Sequence, residues 1–164
     1  MFDRILCAHD LSDHAKPVLR AALDLGRQLD AVVHVLHVVP PPLALPPGIW
    51  FEVPAPDMAS FEEKVRHAVT EELERSIREV SHAGDPPARV HVHLGEEVAS
   101  ILACVDQVDA GLIVMGTHGR KGWQHLMLGS VAERVVRTAK VPVLTVAPAA
   151  VQAVEGSRTA VTHA

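Results

Sequence analysis

Cysteine is scarce in this sequence. Only Cys7 and Cys104 occur, far apart and each in apolar surroundings. A disulfide framework or a spaced Cys/His finger is therefore not what organises the chain, and the two read as reduced core residues. Long apolar runs are also missing. None approaches the roughly 18 residues of a membrane helix, and Met-Phe-Asp-Arg leads directly into a strand pattern rather than a secretory leader. The expectation is a cytoplasmic protein without a membrane contact. Basic residues are scattered, with a formal net charge of −5 and a pI near 6.1. That argues against a nucleic-acid surface, which draws on clustered Lys and Arg.

Several catalytic and nucleotide motifs are absent too. There is no G-x-x-x-x-G-K-[ST], no G-x-G-x-x-G after the first strand, and no G-x-S-x-G nucleophile elbow. No nucleophile, base and orienting group can be read as a set, so no catalytic residue is assigned. The eleven histidines invite a metal, but zinc needs about three or four converging N or S ligands. His91 and His93 share one face of a strand, whereas His34 and His37 fall on opposite faces of another. A histidine metal site is not expected.

What is present is an alternation. With 164 residues and 48% hydrophobic content, the chain can bury one full core and is short for two. Arg4 to His9 is a short apolar run suited to a strand buried on both faces. Asp10, Ser12 and Asp13 break it and offer caps for a helix over His14 to Leu29, with Pro17 in its first turn. Ala31 to Val39 is rich in β-branched residues and reads as the second strand. Pro40 to Pro56, with seven prolines, reads as a long loop whose Ile49, Trp50 and Phe51 either pack back on the body or form a lid. A helical period resumes from Asp57 to Ala83 and stops at Gly84-Asp85-Pro86-Pro87. A third strand spans Ala88 to Leu94, and a short helix runs from Gly95-Glu96-Glu97 to about Asp106. Gly111 to Met115 is the fourth strand, a helix follows from near Gly129 or Ser130, and Val141 to Val146 is the fifth strand. Pro142 suits an edge position, because proline cannot donate to a neighbouring strand. The alternation predicts an α/β fold: a single-domain, open, parallel five-stranded sheet with helices on both faces. The domain is expected over residues 1–148, with a poorly ordered tail over 149–164.

The chemistry concentrates between Ala110 and Lys140. A buried strand, a glycine-bearing loop and a helix start make an anion site, because the helix offers unpaired N–H groups and a positive dipole end. The spacing is Gly116-x-x-Gly119, nine residues, then Gly129-Ser130. This G-x2-G-x9-G-[ST] pattern resembles the ATP-binding signature of the universal stress protein family. The likeness extends to Ile5 to Asp10 with Ser12, to Leu36 to Val39, and to Val141 to Val146. It implies a strand order of 3-2-1-4-5, a homodimer joined through the last strand, and ATP, with Mg²⁺, bound between strands 1 and 4.

Carried over residue by residue, the resemblance gives Asp10 and the backbone of Ala8 and His9 the adenosine, and gives the backbone near Val39 the adenine. Met115, Gly116, Gly119, Gly129, Ser130 and Val131 line the phosphates. Apart from the resemblance, Arg120 and Lys121 read either as contacts to phosphate oxygens or a partner or as a solvated charge pair, and His118 and His125 either assist slow hydrolysis or shape and shield the site. His9 replaces the small or apolar residue expected before the aspartate. Asp10 also reads as an N-cap of the first helix, and Ser130 as a cap of the fourth. The function implied is a nucleotide-dependent regulatory protein in the stress response, acting on a protein partner that the sequence does not identify. The alternative is a slow ATPase, or a phosphotransferase that phosphorylates its own Ser130 or a nearby hydroxyl.

Overall fold

The computed structural model describes residues 2–40, 55–117 and 128–147. Among these residues nine elements alternate strictly: β1 (Arg4–Ala8), α1 (Ala15–Leu29), β2 (Val32–Val39), α2 (Ala55–Val80), β3 (Ala88–Leu94), α3 (Glu97–Val108), β4 (Leu112–Gly116), α4 (Ser130–Thr138) and β5 (Val143–Val146). The five strands form one parallel sheet in the order β3-β2-β1-β4-β5. Strand order and strand direction thus agree with the sequence expectation.

Strand alternation divides the core into two layers. Ile5, Cys7, Val33, Val35 and Val114 pack with Val18, Leu19, Ala22 and Leu23 of α1 and Leu73 of α2. Leu6, Leu36, Val38, Ile113 and Met115 face the other way, against Val98, Ile101, Cys104 and Val105 of α3 and Ala132 and Val135 of α4. Both cysteines are free and fully buried, and the sheet lies between them. Burial pushes the Cys7 thiol up to about 12 and the Cys104 thiol to about 11, so neither is a thiolate at neutral pH.

Element ends differ from expectation by a few residues. The largest shift is at α2, which begins at Ala55 inside the expected proline loop and ends at Val80 rather than Ala83. Pro56 is tolerated there because the first helical turn has no use for its missing N–H. Pro17 sits in the first turn of α1, as expected. β1 stops at Ala8, one residue short of His9, and β5 begins at Val143 rather than Val141. β5 is indeed an edge strand, and the Pro142 carbonyl still accepts from the Ile113 amide at 3.0 Å. The remainder of the proline loop and the 149–164 tail lie outside the described residues. Among the described residues, no helix is long and apolar enough to cross a membrane.

The loops at the amino ends of the strands are tightly joined. Arg20 of α1 donates through Nη1 to Asp85 Oδ2 (2.5 Å) and the Val80 carbonyl (2.6 Å), and through Nη2 to Asp85 Oδ1 (2.8 Å) and Asp24 Oδ1 (3.0 Å). The guanidinium and the Asp85 carboxylate are both almost fully buried, and the Arg20 bonds hold the Asp85 carboxyl down at about 2. Gly26 is where α1 touches β2. A Cβ there would lie 2.7 Å from Val33 Cγ2 and 2.8 Å from Pro86 Cγ.

Candidate nucleotide site at the β1–β4 switch

In an open parallel sheet, crossovers that leave in opposite directions open a crevice at the carboxyl ends of two adjacent strands. Here that point lies between β1 and β4. Ala8 ends β1 in register with Leu36 on one side and Met115 on the other, and Gly116 ends β4. The structure therefore brings Ala8, Met115 and Gly116 together directly. Val39 ends β2 three residues beyond Leu36, about 10 Å further along the strand. Its carbonyl accepts from the Gly95 amide at 3.0 Å.

After Ala8 the chain makes a compact turn. The Ser12 amide (3.0 Å) and hydroxyl (2.6 Å) both donate to Asp10 Oδ1, an Asx-type turn that aspartate forms readily. Between them Leu11 has φ 63°, a left-handed conformation that costs a leucine about 1–2 kcal/mol. His9 is buried. Its pKa falls to about 4, chiefly through that burial, with Asp10 opposing the shift and His37 and Lys16 adding to it.

The expectation that Asp10 caps α1 is not met. His14 occupies the cap without a side-chain bond, because the Asp10 carboxylate is already turned onto Ser12. Ser130 is likewise not a cap. Gly129 takes that position and Ser130 is the first helical residue, with its side chain exposed. This leaves the Ser130 hydroxyl outside the helix's own hydrogen bonding, at its positive end.

Gly129 returns the chain to β4. Its amide donates to the Thr117 carbonyl at 2.7 Å, while the Thr117 amide donates to the Val146 carbonyl at 3.1 Å. Gly116 and Gly129, thirteen residues apart, are thereby separated by one residue and one hydrogen bond. α4 starts at the end of β4, with Ser130 and Val131 in its first turn. Across the layer, Glu96 caps α3 through the Ala99 amide (2.7 Å) and reaches Arg134 of α4 (2.8 Å). The capping bond, with Arg134 second, holds the Glu96 carboxyl below its ordinary range. His118, Gly119, Arg120, Lys121 and His125 lie outside the described residues.

The sequence pattern of the universal stress protein family matches residues 1–147. The chain belongs to the universal stress protein family. Universal stress protein MJ0531 of Methanocaldococcus jannaschii is 30% identical over 152 residues, spanning 89% of this chain and 82% of that protein. Universal stress protein G of Escherichia coli O157:H7 is 34% identical over 139 residues, covering 84% of this chain and 89% of its own length. Among solved structures, a universal stress protein family member from Burkholderia pseudomallei superposes with a TM-score of 0.59 at 30% identity, over 88% of this chain and 96% of that one. The fold is also shared with a universal stress protein in complex with cAMP, at a TM-score of 0.61 and 20% identity over 90% of this chain and 98% of the other.

Two features of this universal stress protein were not legible from its motifs. Leu11 carries no sign of a left-handed backbone, although Asp10 followed two residues later by Ser12 is an Asx-turn signal that could have found the turn. His34 and His91 face each other on the α3 side of the sheet, with His34 Nδ1 2.8 Å from His91 Nε2 and the rings 5.1 Å apart. Burial first, then His91, Arg89 and Arg4, lowers His34 to about 4. The pair lies back along the strands from the switch, and among the described residues no group of three or more His, Cys, Asp or Glu could hold a metal ion.

Proposed function

We propose that this universal stress protein binds ATP across the β1–β4 switch and acts as a dimeric, nucleotide-dependent regulatory protein. The supporting observation is the Gly129–Thr117 hydrogen bond, which sets the first N–H groups of α4, unpaired within the helix, beside Gly116. Glycine lets an anion approach the backbone closely, and the helix dipole favours negative charge there by about 0.3–1 kcal/mol. Asp10 stands across the switch, on the side of the nucleoside. The residues present suit a nucleotide with its phosphates toward α4, and Mg²⁺ would enter on the phosphate oxygens, as it prefers. A protein of the same fold was crystallised with cAMP, also an adenine nucleotide.

Titration calorimetry with ATP tests the reading, with Ser130→Glu as the control. A carboxylate at the start of α4 favours the helix but occupies the phosphate position with like charge. The variant is expected to fold normally and to lose at least about tenfold in affinity. An unaltered chain that takes up no ATP, or a variant that binds equally well, would refute it.

The dimer proposed forms through β5. This edge strand exposes Leu144, and neighbouring α4 exposes Val136, two of the large apolar side chains left uncovered in this chain. Sedimentation of the unaltered chain as a dimer and of Leu144→Lys as a monomer is the expected outcome.

A further inference from the structure

The hydrogen bonds around His9 define the state of two buried histidines. The Leu11 amide donates to His9 Nδ1 at 3.1 Å, so that nitrogen holds a lone pair and the ring proton sits on Nε2. His37 Nδ1 lies 2.7 Å from the His9 carbonyl. A carbonyl oxygen only accepts, so this nitrogen of His37 carries its proton. The His9 amide in turn donates to the Leu36 carbonyl at 2.8 Å. His9 is thus held to β2 from both sides of its backbone, while its ring reaches forward to the amide of the strained residue. That amide belongs to Leu11, the left-handed link between Asp10 and Ser12.

We infer that His9, braced by His37, is a positioning residue that holds the Asp10–Leu11–Ser12 turn in the shape that presents Asp10 to a ligand. The inference rests on the nucleotide reading above, in which the turn receives the nucleoside. An acceptor for the Leu11 N–H compensates a backbone conformation that leucine disfavours. Without it the turn relaxes and Asp10 moves. The ring serves as acceptor only while neutral, and burial keeps it neutral against the pull of Asp10, with His37 and Lys16 acting in the same direction as burial. A second proton would go to Nδ1 and remove the acceptor.

Asparagine places its side-chain oxygen the same number of bonds from Cα as His Nδ1, so His9→Asn keeps an acceptor where His9→Phe keeps only the ring. Calorimetry with ATP and exchange of the Leu11 amide followed by NMR are measured on the unaltered chain, both variants, and His9→Phe combined with Leu11→Gly. His9→Phe is expected to weaken ATP about tenfold and His9→Asn less than about twofold. Leu11→Gly should restore the affinity of His9→Phe, since glycine adopts the left-handed conformation without help. Leu11 amide protection should fall with acid through about pH 4 in the unaltered chain and stay level in His9→Asn. Unchanged ATP binding in His9→Phe, equal losses in both single variants, or a Leu11 amide indifferent to His9 would each overturn the inference. Absence of ATP binding by the unaltered chain overturns the nucleotide reading instead, and the Leu11 amide then still decides whether His9 holds the turn.

Discussion

The two ends of the sheet are built on different terms. At the amino ends, Arg20 and Asp85 are buried and paired through two bonds, the Ala31 amide meets the Gly26 carbonyl at 2.8 Å, and Arg4 reaches the Val108 carbonyl at 3.2 Å. At the carboxyl ends, a leucine is left-handed, and His9 Nε2 is buried without a hydrogen-bond partner among the described residues. Unsatisfied and strained groups of this kind cost about 1–3 kcal/mol each. The amino ends hold the buried ion pair, although Arg20 Nε is itself buried without a partner among the described residues, and the carboxyl ends hold the left-handed leucine beside the proposed nucleotide site.

That contrast can be broken most forcefully at Asp85. Replacing it by alanine leaves the Arg20 guanidinium buried beside a void, and breaking a buried pair in this way costs about 3–5 kcal/mol. Urea unfolding should show that loss, while ATP affinity of the folded protein stays as it was. A loss of affinity without a loss of stability would reverse the assignment of the two ends. Gly26→Ala comes next. Alanine normally improves a helix, but the added carbon would meet Val33 and Pro86 inside ordinary contact distance, and a loss of about 1–3 kcal/mol is expected.

Acid should separate the two ends by pH. His9 has its folded pKa lowered from 6.5 to about 4, so the unfolded chain binds the extra proton first and stability falls as pH drops through that window, by up to about 1.4 kcal/mol per unit per group. His34 contributes over the same range. Asp85, with its pKa lowered from 3.8 to about 2, contributes fully above 3.8 and loses its contribution only as pH falls toward about 2. Stability measured from pH 7 to pH 2 should therefore decline in two stages, and His9→Asn should lessen only the first, leaving the His34 share of it in place. The smallest effect expected is at Leu11. Glycine there should be more stable than alanine by about 1 kcal/mol, the inverse of their order in a helix. Alanine equal to or better than glycine would remove the strain from the comparison.

The architecture was legible because burial imposes periodicity. Val32 to Val39 reads as a strand because β-branched residues fill both faces, and α1 reads as a helix because Val18, Leu19, Ala22 and Leu23 return to one side. Gly116, Gly129 and Ser130 stood out because their spacing places a strand end and a helix start around one loop, and the structure brings these ends together. Their closure through Thr117 was not legible, since a carbonyl acceptor leaves no trace in residue type. Arg20 and Asp85, 65 positions apart, meet only because β3 returns beside β2. The bend at Leu11 was hidden because a side chain that packs on the core, as Leu11 does, gives no hint of the backbone beneath it.

The placement of Cys7 and Cys104 on opposite faces makes each thiol a separate clock. Neither can be alkylated until its own layer opens, and they cannot meet in a disulfide while the sheet stands between them. Modification of Cys7 times the parting of α1 and α2 from the strands, and modification of Cys104 times the parting of α3 and α4. Equal rates would mean that the molecule comes apart as one unit. Unequal rates would name the layer that lets go first, and a nucleotide that slows only the Cys104 clock would have tightened the layer containing α4 alone.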